Sequence, residues 1–318
     1  MTAPTNTTTT LVSVGNREDL EDVIYRVAPE DTPFTSNIGK VTAKAVYHEW
    51  QTETLATPNA ANAQLEGDDI ASLDSPNLTS RVGNYCQIVR KTGGVSGTEE
   101  IVDKAGRKSE MNRQKVLKGI EAKRDFEKRV IGNYASNAES GATPRGTGGF
   151  LAWLSLNTSD GAGGSDGGFA SGIVTAATNG TQRTFTEALV KQVLSACFAN
   201  GGKPKQAYVG PAHKQAFSAF TGIASIRKDA PGDAMATIIG AADVYVSDFG
   251  NLALIPHAYG LGRDCCLVDP EMVAVGTLRG WATEPLAKTG DSERFILTGE
   301  KCLVMKNQKA HGAVRDLA

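Results

Sequence analysis

A long polar interruption between two strand-like runs constrains this fold more than any other feature. Residues 45–55, AVYHEWQTETL, are rich in β-branched and aromatic types, and their alternation places Val46, His48, Trp50, Thr52 and Thr54 on one face of a strand. A second run, from Arg81 to Thr92, carries Val82, Tyr85, Cys86, Ile88 and Val89. Between them lie Pro58, Pro76 and the acids Glu66, Asp68, Asp69 and Asp74. The pattern predicts a long hairpin with an acidic tip. Two strands alone are marginal in water, and a connection this long is uncommon in a compact domain unless it has a task. Something outside the hairpin is therefore expected to cover it; the plain alternative is a loop folded onto its own core.

The flanking segments read as helix. A Thr-rich tail, free or held by a partner, leads into a short amphipathic helix capped by Asn16, with Leu20, Val23, Ile24 and Val27 on one face and Pro29 and Pro33 closing it. Beyond the hairpin, residues 98–137 contain no proline. Their acids come early (Glu99, Glu100, Asp103) and a cluster of bases late (Lys123, Arg124, Lys128, Arg129), as a helix dipole favours. Val116, Ile120, Val130, Ile131 and Tyr134 supply an apolar stripe. One helix of that length would run about 60 Å, longer than a compact domain needs. Gly106, Gly119 and Gly132 predict bends or a break, since each costs ~1 kcal/mol relative to Ala.

Gly-rich connectors then flank an apolar anchor of Phe150, Leu151, Trp153 and Leu154, which marks a boundary. A capping box from Thr184 to Glu187 opens a helix bearing Leu189, Val190, Val193 and Leu194, and Asn200-Gly201-Gly202 ends it. A strand at 206–209, a helix opened by Pro211 with Ala216, Phe217 and Phe220, and strands at 244–248, 252–256 and 265–268 complete an α/β unit. Long strands return at 272–277, 281–286 and 293–305, the last broken at Gly299, with Gly290-Asp291 as turn chemistry. Helices and sheets are segregated, so the class is α+β.

Signals for chemistry are weak. The segment GAGGSDGG at 161–168 lacks the Gly-Lys-Ser/Thr of a phosphate loop, and Gly260-x-Gly262 lacks the third glycine of a dinucleotide fingerprint. His48-Glu49 has no second His at zinc-protease spacing, and neighbouring acids such as Glu99-Glu100 point in different directions. The four histidines are scattered, and the five cysteines, odd in number and without a C-x-x-C pair, read as structural thiols of a reducing compartment. With 33 basic against 35 acidic residues and a net charge of -2, bulk attraction to nucleic acid is not expected. No stretch approaches the ~18 apolar residues of a membrane span and the start lacks secretory-signal regions, which predicts a soluble intracellular product.

The runs REDLEDVIYRVAPEDTPFTSNIGK, YHEWQTETLA, EGDD, RVGNYCQIVRKTGGVSGTEE, KRDFEKRVIGNYAS and SERFILTGEKCLVMKN follow one another over nearly the whole chain. In that order they resemble the SU10-like group of tailed-bacteriophage major capsid proteins, built on the Hong Kong 97 capsid fold. The resemblance implies an N-terminal arm (1–40), an extended β-hairpin loop (41–97), a long spine helix (98–149), an axial α/β domain (150–271) and return strands (272–318) that form the peripheral domain with the spine. It implies hexamers and pentamers that close into an icosahedral shell around double-stranded DNA held without sequence-specific binding. No catalytic residue, cofactor, metal or membrane is implied. The expected place is the virion, after assembly in the host cytoplasm.

About fifteen residues precede the first expected helix, where some relatives of the fold carry a cleaved scaffolding region, so a separate scaffolding protein is expected beside a portal and a possible decoration protein. Nothing marks a Lys–Asn crosslinking pair. Candidate inter-subunit contacts are Trp50 as an anchor and Glu66, Asp68 and Asp69 at the tip, with Lys123, Arg124, Lys128 and Arg129 as candidate bases. Two other readings stay open: an encapsulin-like cellular compartment with the same fold, and an unrelated soluble hydrolase housed in the α/β unit.

Overall fold

Turn and cap chemistry set the element order. The computed structural model describes residues 28, 29, 31–67, 69, 73–220 and 244–318; the expected first helix around Leu20 and Val27, and Asp68 of the loop, lie outside them. Pro33 opens a one-turn helix, α1 (Pro33–Asn37), followed by β1 (Gly39–Thr42) and β2 (Tyr47–Thr52). The chain returns along β3 (Ser80–Tyr85), and β4 (Gln87–Ser96) leads into α2 (Gly97–Ile101) and α3 (Glu110–Ile131). Next come α4 (Phe150–Trp153), β5 (Thr158–Ser159), β6 (Gly168–Ala170), β7 (Ile173–Thr175), α5 (Glu187–Ala199), β8 (Gln206–Val209) and α6 (Pro211–Ser218). The described chain closes with β9 (Val244–Ser247), β10 (Gly250–Pro256), β11 (Cys265–Val268), β12 (Val273–Leu286), β13 (Ser292–Met305) and β14 (Gly312–Val314).

Two sheets organise these elements. One has the order β1-β12-β13-β4, the other β5-β14-β11-β8-β10-β9. In the first, β13 pairs antiparallel with β12 on one side and β4 on the other, and α3 lies along β4 and β13. The central strands of the second sheet, β8, β11 and β14, are buried on both faces. Along β8, Ala207 and Val209 turn to a core built with Val190, Leu194 and Phe217, while Tyr208 turns to another built with Phe34, Phe126 and Phe150. Alternation of this kind is why β11 reads Cys-Cys-Leu-Val with no exposed position.

The expected hairpin is shorter than the two sequence runs. β2 and β3 pair from Tyr47↔Tyr85 to Thr52↔Ser80, and Cys86 N still donates to Val46 O, but beyond Cys86 the second run leaves its partner, and β4 crosses to pair with β13. The expected long helix also divides. Gly106 adopts φ +72°, a left-handed turn that separates α2 from α3, and Gly132 ends α3. Gly119 breaks nothing and lies inside α3 with nothing near its α-carbon face. The capping box at Thr184 does not form; α5 starts three residues later at Glu187, whose carboxylate accepts from Tyr245 Oη at 2.9 Å. Its end is as expected: Gly201 is left-handed at φ +83° and Gly202 N donates to Cys197 O.

Nor does Gly299 interrupt β13. The Trp281 ring lies over it, so close that a Cβ would sit 2.5 Å from Trp281 Cε3; glycine admits the indole and the strand runs on. The last residues depart from the expected return strands too. β14 joins the six-stranded sheet between β11 and β5, away from β12 and β13.

Buried polar groups tie the two sheets together. Glu127 of α3 is fully buried and accepts from Phe34 N (2.7 Å) and Thr35 N (2.9 Å), and its Oε1 lies 3.0 Å from His257 Nε2 at the end of β10. Tyr259 N donates to His257 Nδ1, so Nε2 carries the proton and donates to Glu127. The same helix face thus holds both the N-terminal segment and the second sheet.

Candidate assembly surface

At the base of the hairpin the polar tip and the apolar root are treated differently. Trp50 Nε1 donates to Met305 O at 2.9 Å, and its ring lies 5.5 Å from Trp153, which stacks on Phe169. Tyr47 Oη donates to Gly172 O at 2.9 Å. These contacts fasten the root to its own subunit, and Trp50 therefore anchors the hairpin within the chain.

Beyond Thr52 the support stops. Residues 53–79 contain five acids, Glu53, Glu66, Asp68, Asp69 and Asp74, and no Lys or Arg. Among the described residues, Glu66 and Asp69 are exposed, with no ion pair in the chain. Leu55, Leu65, Leu73 and Leu78 are each more than 80% exposed (89, 81, 89 and 81%). Four large apolar side chains in water on one unpaired loop form a surface that a lone subunit leaves unsatisfied.

The four candidate bases of α3 separate into two pairs. Arg129 is committed to its own chain: it donates to Thr147 O (2.9 Å) and Ala135 O (2.7 Å), and its guanidinium lies 4.9 Å from the Tyr134 ring. Burial lowers its pKa. Arg124 lies over the Tyr259 ring at 5.3 Å. Lys123 and Lys128 remain exposed.

Lys123 does not stand alone. It shares a cleft of about 280 Å³ with Lys40 of β1 and Lys301 of β13, floored by Phe126, Val275 and Trp281. Lys301 Nζ lies 4.9 Å over the Trp281 ring, and burial, then Lys40 and Lys123, pull its pKa down. Among the described residues no carboxylate lines this cleft. Its neighbour on β13, the buried Glu300, points the other way to pair with Arg145 and with the more exposed Arg279 at 2.7 Å. Sequence spacing did not suggest Lys40 or Lys301, because they come from two strands joined to α3 only by the sheet. The one signal available was the alternation of β13, which places Lys301 opposite Glu300.

Elsewhere the reactive residue types are quiet. All five cysteines are free and buried, and burial pushes the Cys197, Cys265 and Cys266 thiols well up. Among the described residues no cluster of His, Cys, Asp or Glu could hold a metal ion, and no helix is long and apolar enough to cross a membrane.

Comparison with known proteins identifies the family. A family model described as SU10 major capsid protein matches residues 3–318. The major capsid protein of Escherichia phage Phieco32 is 35% identical over 121 residues, covering 38% of this chain and 34% of that protein, so the match spans about a third of the relative's length. Among solved structures, the Cyanophage A-1(L) capsid asymmetric unit matches with a TM-score of 0.66 at 10% identity, over 97% of this chain and 98% of that one. A chain of Gordonia phage Cozz matches with a TM-score of 0.61 at 10% identity, over 99% and 97%. A phage G structure of major capsid proteins and decoration proteins matches with a TM-score of 0.55 at 10% identity, over all of both chains. At such identity these likenesses speak for the fold, while the family match covers nearly every residue. The chain therefore belongs to the SU10 major capsid protein family, a family of structural capsid proteins, and has the α+β fold of Hong Kong 97-type phage capsids.

Proposed function

We propose that copies of this chain tile the head of a tailed bacteriophage, joining into hexamers and pentamers of a closed icosahedral shell around double-stranded DNA. The observation that carries this reading is the loop 53–79: acidic, leucine-bearing and exposed at every described residue, on a root fixed by Trp50 and Tyr47. A rigid root with an unsatisfied tip is suited to reach over a neighbour. Contacts between different patches on adjacent copies close into rings when the rotation allows, and many weak contacts together give avidity that none has alone.

In this reading 1–40 is the arm, 41–97 the extended loop, 98–149 the spine, 150–271 the axial domain and 272–318 the peripheral return. The exchange of β14 into the six-stranded sheet makes the last two interlock. The role is structural, with no catalysis. The net charge of -2 suits a wall that contains DNA without gripping its sequence. A separate scaffolding protein, a portal and a decoration protein are the further partners; the phage G structure, which holds decoration proteins, supports the last. Assembly takes place in the host cytoplasm and the product resides in the virion.

Negative-stain microscopy and sedimentation of the purified chain test the proposal. Rings or closed shells are expected as concentration rises. A monodisperse monomer at every concentration and salt would overturn it.

A further inference from the structure

We infer that the cleft of Lys40, Lys123 and Lys301 is the seat of the loop tip of a second copy, with Glu66 among the three ammonium groups and Leu65 against Trp281, Phe126 and Val275. This rests on the shell reading above and names the partner surface within it.

Three observations converge. Among the described residues the cleft gathers three cations with no carboxylate in its lining, although charges of one sign repel at such range. Lys301 bears the consequence, since its pKa falls through burial and through Lys40 and Lys123. An incoming carboxylate would relieve that repulsion, and Thr32 and Thr35 at the rim bring hydroxyls able to donate to it. The floor is apolar, so the fitting ligand has an acid next to a large apolar side chain.

The loop supplies that pairing in sequence. Leu65 is followed by Glu66, then by Gly67 at φ +79°, a left-handed turn that presents the two residues at a bend. Leu65 is 81% exposed, and Glu66 forms no ion pair with any described residue. The owner of the cleft is not the owner of the loop: among the described residues of 53–79, the hydrogen bond formed, Ala61 N to Asn59 Oδ1, stays within the loop, with none to the body. A size of about 280 Å³ takes the tip of a turn and is too small for a folded element.

Charge reversal in pairs tests the seat. Lys123→Glu and Glu66→Lys, both at exposed positions, are each expected to cut shell yield about tenfold or more, with thermal melting of the free subunit unchanged. Combining them in one chain is expected to restore assembly, while Lys203→Glu, at an exposed lysine outside the cleft, assembles as the wild type does. Carbodiimide treatment of particles assembled from mixed ¹⁴N and ¹⁵N chains is expected to yield a Lys123–Glu66 or Lys301–Glu66 crosslink of mixed isotope.

Wild-type yield from both single variants overturns the inference while leaving the shell reading intact. So does failure of the double variant to recover, or a crosslink found only within single chains. Absence of any wild-type particle strikes at the shell reading itself.

Discussion

The loop 53–79 and the C-terminal segment 311–317 both carry charged side chains, yet the first is wholly exposed where described and the second, which includes β14, is wholly buried. The loop exposes leucines; the tail buries Arg315 and Asp316. The tail's charges have partners. Arg315 donates to Leu151 O (2.6 Å) and Leu154 O (3.0 Å) and pairs with Asp166 at 2.7 Å and Asp160 at 3.3 Å. Asp316 accepts from Gly161 N at 3.0 Å and pairs with Arg263 at 2.9 Å. Residue polarity therefore does not decide which stretch is buried; partners do, and the tail's are in its own chain. Among the described residues the loop's acids have none.

The largest expected effect falls on the tail. Arg315→Met keeps the bulk but strands two carbonyls and leaves Asp166 and Asp160 half-buried without their cation, which should cost about 3–5 kcal/mol of subunit stability in denaturant unfolding. A loss below 1 kcal/mol would mean that the tail is held by packing alone and would erase the contrast.

Next is the pH response of His311 in the same segment. It is buried, accepting from Asp269 N at 3.1 Å and donating to Met272 O at 3.3 Å, and burial holds its pKa down at about 4. Unfolded, the imidazole titrates near about 6.5, so the unfolded chain takes the proton first as pH falls. Its contribution is whole above about pH 6.5 and is lost progressively toward pH 4, amounting to about 3 kcal/mol. His311→Gln, which keeps one donor and one acceptor, should flatten the stability profile across that window. An unchanged profile would assign the acid sensitivity elsewhere.

A smaller effect, of opposite sign, is expected at Gly119. It sits in the interior of α3 with open space around it, so Gly119→Ala should stabilise the subunit by about 0.5–1 kcal/mol, read as a raised unfolding midpoint. The smallest belongs to the loop. Leu65→Ser with Leu73→Ser should move the free subunit's stability by less than about 0.5 kcal/mol, because neither side chain is buried in it. A larger loss would show that the loop packs on its own body and would collapse the comparison.

Much of the element order was legible because it rests on short-range chemistry. Pro211 opening α6, the Asn200-Gly201-Gly202 stop and the Gly106 break each need only neighbours along the chain. The hairpin was legible as a pairing but not in length, since whether β4 stays with β2 or crosses to β13 depends on a strand some two hundred residues away. Gly299 misled for a similar reason: the Trp281 ring it accommodates reaches it across the sheet.

The candidate surface divides along the same line. Glu66 and Asp69 stood out in the sequence as acids on a long loop, and the structure leaves them exposed. Arg124 and Arg129, grouped with Lys123 and Lys128 by spacing, turn onto Tyr259 and Tyr134 of their own chain. Glu127, in the midst of those bases, looks like another surface charge and is the most deeply buried acid of the helix, held by His257 and by the backbone of α1.

By itself the sequence determined the order of most helices and strands and several of their stops, the class of fold and the acidic character of the loop. Periodicity, caps and turn residues act over a few positions, and charge composition needs no folding to be read. Only the tertiary structure decided which charges are buried with partners, that Trp50 secures its own subunit, and that Lys40, Lys123 and Lys301 share one cleft. The free energy of a charge depends on what lies within a few ångströms of it, and those neighbours come from segments that only the folded sheets bring together.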